Sequence, residues 1–241
     1  MSSLYLRDDL EAPGIGDTIA LTGAEAKHAA SVNRLRRGES VLVGNGRGLL
    51  VTAVATAVSP SVVELEVTAS RTEPQPSQRV TLVQALAKGG RDELAIQAAT
   101  ELGVDEVVPW AAARSVSRWE GQKVERGRER WATIVREASK QSIRSWVPAV
   151  GPLAHTGDLV ASRASRVLVL EPTALTRLSS VEADGRNVTL VVGPEGGIAP
   201  NELSALTDAG AEAVRLGDTV LRTSTAGPAA LALISAVLGR W

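Results

Sequence analysis

Cysteine is absent from the 241 residues of this chain. That excludes disulfides, cysteine-ligated zinc, iron–sulfur clusters and a cysteine nucleophile. Histidine is nearly absent. His28 and His155 stand far apart, and no HExxH-like spacing supports a zinc site or a histidine-centred catalyst. No metal is therefore expected. Phenylalanine is missing and there is one tyrosine, so tryptophan carries most of the aromatic character. Trp110, Trp119, Trp131 and Trp146 are expected in core or dimer packing ahead of base stacking, and His28 at a helix or domain interface ahead of catalysis. Long apolar runs are also lacking. None approaches the roughly 18–20 residues that cross a bilayer, and the opening MSSLYLRDDLEAP does not read as a signal peptide. A cytoplasmic protein without membrane contact is the expectation.

What is present is a hydrophobic content of 44%, enough for the core of one large domain or two small ones. The net charge of −1 argues against a strongly basic nucleic-acid binder, but the charges are unevenly spread. Residues 114–144 hold nine basic side chains, among them Arg136, Lys140 and Arg144, against four acidic ones. A second basic cluster comprises Lys27, Arg34, Arg36 and Arg37. Arginine dominates both, and its planar fork binds phosphate and stacks on bases. Lys27, Arg34, Arg36, Arg136, Lys140 and Arg144 are the candidate RNA contacts. A solvated helix face with i,i+4 pairs fits the same residues.

Residues 70–79, SRTEPQPSQR, hold two prolines and no large apolar residue, which is linker chemistry. Before them the chain is rich in β-branched runs at 41–43, 49–55 and 62–67, with a GNGRG turn and one short helix over 23–34. A small β-barrel domain over 1–72 is expected. After them strands and helices alternate. Apolar runs at 80–86, 106–110, 166–172, 188–193 and 213–217 read as strands, and 91–103, 124–143, 201–210 and 225–239 as helices. That pattern predicts an α/β domain over 78–241 with a mostly parallel sheet.

In such sheets ligands bind beyond the carboxyl ends of the strands. Two candidate loops lie there. The first, VVGPEGG, places Gly193, Gly196 and Gly197 where the backbone turns sharply, just ahead of a helix. It matches neither GxxxxGK[ST] nor GxGxxG, and the glycines alone equally fit a tight turn. The second, LGDTVLRTSTA, sets Arg222 directly before a helix capped by Thr223, Ser224 or Thr225. An arginine there faces the positive end of the helix dipole, so a ligand or an acidic neighbour explains it best.

The pair of loops resembles that of the bacterial small-subunit (16S) ribosomal RNA uracil-N3 methyltransferases, within the SPOUT superfamily of knotted methyltransferases. KHAASVNRLRRGE, LAKGGRDELAIQAATELGVDEVVPW and REASKQSIRSWVP are similar to further stretches of that family, so the likeness runs the length of the chain. It implies a C-terminal trefoil-knotted methyltransferase domain, a small N-terminal PUA-like β-barrel domain, and a homodimer acting on 16S ribosomal RNA or the small ribosomal subunit. S-adenosyl-L-methionine would lie among three loops. The residues implied are Leu170, Glu171 and Pro172; then Gly193, Pro194, Glu195, Gly196 and Gly197; then Leu216, Gly217, Val220, Leu221, Thr223 and Thr225. Two departures stand out: Ser224 replaces the family's usual glutamate, and Leu4–Tyr5 its arginine–aromatic start.

Uracil N3 must lose its proton to become nucleophilic. A neighbouring cation favours that ionisation, and Arg222 is the candidate catalytic residue, through a uracil carbonyl oxygen. Without cysteine, no cysteine adduct to the base can form. The alternatives are a knotted methyltransferase of other RNA specificity and a non-catalytic RNA-binding or ribosome-assembly factor.

Overall fold

The computed structural model describes residues 3–161 and 165–241. They form two compact units, one of residues 3–75 with 139–147, the other of 76–138 with 148–161 and 165–241.

The first unit is a five-stranded sheet. Its strands are β1 (Leu4–Leu6), β2 (Thr18–Thr22), β3 (Ser40–Gly44), β4 (Leu49–Val58) and β5 (Val62–Thr72), in the order β1-β3-β4-β5-β2. Only β1 and β3 run parallel. Along β5, Val63, Leu65 and Val67 are buried while Val62, Glu64 and Glu66 face out, the period-two alternation of a half-covered sheet. Two register shifts in the β4–β5 pairing add the twist that bends long strands around a core. The expected helix over 23–34 is shorter and broken. An α-helix, α1 (Gly23–Lys27), passes into a π-turn over His28–Val32, and Arg34 takes a left-handed φ of 53°. The expected linker begins inside β5, whose last residues Ser70, Arg71 and Thr72 pair with Val51, Leu50 and Leu49. Backbone pairing holds a strand there without apolar side chains.

The segment 139–147 closes this unit. Ser145 Oγ donates to Glu73 Oε2 at 2.6 Å, and Trp146 Nε1 donates to the Glu73 carbonyl at 2.8 Å. Ser145 and the neighbouring Arg71 hold the Glu73 carboxyl below its ordinary range.

The second unit is a six-stranded, wholly parallel sheet. Its strands are β6 (Val80–Ala85), β7 (Glu106–Trp110), β8 (Ala149–Val150), β9 (Arg166–Leu170), β10 (Val188–Val192) and β11 (Glu212–Val214), in the order β11-β9-β10-β6-β7-β8. Its helices are α2 (Arg91–Glu101), α3 (Gln122–Gln141, whose last three residues belong to the first unit), α4 (Thr156–Ala161), α5 (Pro200–Asp208) and α6 (Thr223–Val237). The runs 80–86 and 188–193 are apolar on both sides because both faces are covered. Val83, Val169 and Val191 pack with Leu203 and Leu206 of α5 and with Leu159 and Val160 of α4. On the other face, α2 and α6 pack together over β6 and β10. Trp110 and Trp131 are buried, and Trp119 meets Trp131 edge-on, with ring centres 5.5 Å apart.

Register decides where the loops begin. Val214 pairs with Leu170, Leu170 with Val192, and Val192 with Gln84. Strands β9, β10 and β11 therefore end in one transverse row, and β6 runs one residue past it, to Ala85.

Candidate functional site

A cavity of about 410 Å³ opens beyond that row, at the carboxyl ends of β9, β10 and β11. The loop after β9 contributes Leu170, Glu171 and Pro172; the loop after β10 contributes Gly193, Pro194, Glu195 and Gly197; the loop after β11 contributes Leu216, Gly217, Val220 and Leu221. Arg222 and Thr223 complete this set at the start of α6. The three loops read from the sequence thus surround one space. Gly196 and Thr225 lie outside the lining; an added Cβ on Gly196 would meet Arg114. Ser224 also lies outside it.

Each wall is fixed from behind. Gly193 lies so close to Ile198 that a Cβ would come within 2.7 Å of Ile198 Cγ1. Glu195 accepts from Arg91 Nη1 at 3.1 Å and from the Lys88 backbone N–H at 3.3 Å. Glu171 accepts from the backbone and hydroxyl of Thr173. One oxygen, Oε1, of each wall carboxylate is therefore engaged. Glu202, buried in the first turn of α5, accepts from the Ala113 N–H at 3.0 Å, from Thr156 Oγ1 at 2.6 Å and from the Ala199 N–H at 3.4 Å. Those bonds hold the helix that follows the β10 loop.

Arg222 is the N-cap of α6. Its carbonyl accepts from the N–H groups of Thr225 and Ala226, at 2.8 and 3.0 Å. Its side chain is exposed at the cavity and has no ion pair or hydrogen bond among the described residues. The backbone is anchored and the guanidinium is available to a ligand.

Sequence reading passed over three residues of this region. Gln84 is the one polar side chain with no contact to water in the apolar run VTLVQAL, a visible signal whose partner was not. Arg91 lines the cavity from the start of α2. Arg215 lines it too, with a buried, unpartnered Nε and with Nη1 3.5 Å from Asp218.

In the first unit Lys27, Arg34 and Arg36 are exposed, and Arg144 is half-buried. Lys140 is buried, with its ammonium against Glu25 Oε1 at 3.1 Å and near His28 Nδ1 at 3.4 Å. Arg136, in the second unit, is half-buried. Among the described residues no cluster of three metal-ligating side chains occurs, and no helix is long and apolar enough to cross a membrane.

Comparison with known proteins gives consistent matches. A family model for an RNA methyltransferase domain matches residues 73–235, and one for an RNA methyltransferase PUA domain matches residues 21–67. The chain is 43% identical to the ribosomal RNA small subunit methyltransferase E of Mycobacterium bovis, across 100% of this chain and 94% of that one. It is 32% identical to the protein of that name from Bacillus subtilis, across 90% of each. The crystal structure of the Neisseria gonorrhoeae ribosomal RNA small subunit methyltransferase E, bound to S-adenosyl methionine, superposes with a TM-score of 0.87 at 26% identity, covering 98% of each chain.

Proposed function

The chain belongs to the RNA methyltransferase family, and from that premise we propose that it methylates N3 of a uridine in small-subunit (16S) ribosomal RNA, using S-adenosyl-L-methionine. The observation that carries this reading is the cavity formed by three loops at the carboxyl edge of the parallel sheet.

The residues present fit the cofactor. The cavity's volume of about 410 Å³ falls in the range of small-molecule sites. Leu170, Leu216 and Leu221 give it apolar walls, while Gly193, Gly197 and Gly217 bring bare backbone to its surface. Apolar walls with backbone donors and acceptors suit a flat, uncharged adenine. When bound, S-adenosylmethionine supplies a methyl group on a positively charged sulfonium.

The chain's own part is to bind the uracil, align it and favour its anion. Arg222 stands at the cavity with an unengaged guanidinium at the positive end of α6. Donating to a uracil carbonyl oxygen, it stabilises the negative charge left when N3 gives its proton to solvent. Lys27, Arg34 and Arg36, all exposed, are assigned to the RNA backbone. The same reading makes the protein a cytoplasmic homodimer that needs no metal. Light scattering in solution tests the dimer, and full activity in chelator tests the metal.

The decisive experiment is nucleoside mass spectrometry of 16S ribosomal RNA from a strain lacking this gene. N3-methyluridine is expected to disappear and to return with the wild-type gene. Its persistence in the deletion strain would overturn the assignment.

A further inference from the structure

Gln84 is the penultimate residue of β6, in the interior of a parallel sheet, with no exposed surface. A buried carboxamide costs stability unless its groups are paired. One of them is. Nε2 donates to Thr223 Oγ1 at 2.8 Å and to the Ala85 carbonyl at 3.2 Å. Thr223 Oγ1 in turn donates to the carbonyl of Gly193 at 2.9 Å. Gln84 Oε1 is buried without a partner.

The direction of this chain of bonds is forced. The Gly193 carbonyl can only accept, so the Thr223 hydroxyl proton must point to it. The hydroxyl oxygen then needs a donor, and only the amide end of Gln84 can supply one. Its three members come from three different walls: Gln84 from the sheet, Gly193 from the first residue after β10, and Thr223 from the first residue of α6. Arg222 is the next residue before Thr223. The packing agrees with a close fit here, since a Cβ on Gly227 would lie 3.1 Å from Leu82 and 3.5 Å from Gln84 Oε1.

We infer that Gln84 is a positioning residue, which sets both the β10 loop and the Arg222 end of α6 from beneath through Thr223. It touches no substrate. This rests on the reading of the cavity as the cofactor site, but part of its test does not.

The test compares Gln84→Leu, Thr223→Val, Thr223→Ser and the double variant Gln84→Leu/Thr223→Val in the full-length protein. Hydrogen–deuterium exchange of the peptides covering 193–197 and 222–226 reads loop order without ligand. Gln84→Leu and Thr223→Val should each speed that exchange, and Thr223→Ser should recover most of what Thr223→Val loses. The loss of one buried bond should weaken S-adenosylmethionine binding roughly tenfold by calorimetry. Misplacement of Arg222 should lower the single-turnover rate further, by about 100-fold. The double variant should be no worse than either single, because both cut the same chain.

The melting temperature of Gln84→Leu should stay near that of wild type, since the donor lost to Thr223 and Ala85 is offset by removal of an unpartnered buried oxygen. Activity loss at undiminished stability distinguishes positioning from mere folding. Wild-type exchange in a folded Gln84→Leu protein, or losses that add in the double variant, would overturn the inference. If Gln84→Leu fails to fold, the isosteric Thr223→Val carries the same comparison. If the wild-type protein binds no S-adenosylmethionine, the functional reading fails, while the exchange data still decide the role of Gln84.

Discussion

Nζ of Lys140 lies 3.1 Å from Oε1 of Glu25, although 115 residues separate them in the chain. Both side chains are largely withdrawn from water, at 8% and 17% exposure. Removing one member of such a pair strands the other. Lys140→Met is expected to destabilise the protein by about 3 kcal/mol, read from urea unfolding, and Glu25→Gln added to it to restore most of that loss. Equal stability of Lys140→Met and wild type would show that the pair contributes nothing.

Arg222→Ala tests the catalytic assignment. Loss of a charge-stabilising donor typically lowers the chemical rate about 100- to 1,000-fold. The single-turnover rate should fall by that amount while calorimetric affinity for S-adenosylmethionine stays near wild type. Arg222→Lys should restore only part, because an ammonium lacks the guanidinium fork. An undiminished single-turnover rate in Arg222→Ala would remove Arg222 from the chemistry.

Gly193→Ala tests the β10 loop. The new Cβ would meet Ile198 Cγ1 at 2.7 Å and the Ile198 backbone nitrogen at 3.3 Å. Ile198 belongs to the core beneath the loop and has little room to yield. Overpacking of this kind costs about 1–3 kcal/mol, and S-adenosylmethionine affinity should fall with it. Gly217→Ala is the control, because nothing lies within 4 Å of its Cβ. Its melting temperature should match wild type.

The pair of Arg166 and Glu212 predicts a pH dependence. Arg166 Nε and Nη2 donate to the two carboxylate oxygens at 2.7 and 2.8 Å, and Arg166 pulls the Glu212 carboxyl below its ordinary range. A depressed folded value means that stability is present above the unfolded pKa and lost as pH falls through the folded one. Glu212 is 42% exposed, so screening limits the gain to about 0.5–1 kcal/mol. Glu212→Gln should therefore be less stable than wild type at neutral pH, and the gap should close in acid. A gap that is constant with pH would point to packing instead.

The α/β half of the chain was legible because its signals are long and unmixed. The runs 80–86, 106–110, 166–172 and 188–193 all contain strands, since a strand covered on both faces has few polar positions. The first unit was harder. β1 spans three residues, too few for a period to show, and β2 reads TIALT, a weak alternation. The end of β5 is polar and is held by pairing with β4, which composition does not record. At the cavity, glycines and Arg222 were visible as a pattern within single loops. The Gln84–Thr223–Gly193 chain spans 139 residues at one link and 30 at the other, so only the folded chain displays it. The charge of Lys140 was equally visible, but its burial was not, because its carboxylate partner lies in a different element.

The row formed by Val214, Leu170, Val192 and Gln84 has a consequence for how the protein can change over generations. Strands β9, β10 and β11, neighbours about 4.8 Å apart, set their loops off from one level line, and β6 ends one residue beyond it. Deleting a single residue from β9, β10 or β6 would lower its loop by about 3.3 Å and turn every following side chain to the opposite face. Substitution within the loops leaves that line intact. Inheritance at this site therefore acts on length before identity: lineages can exchange letters in the loops, while gaps in the strands beneath them should be purged.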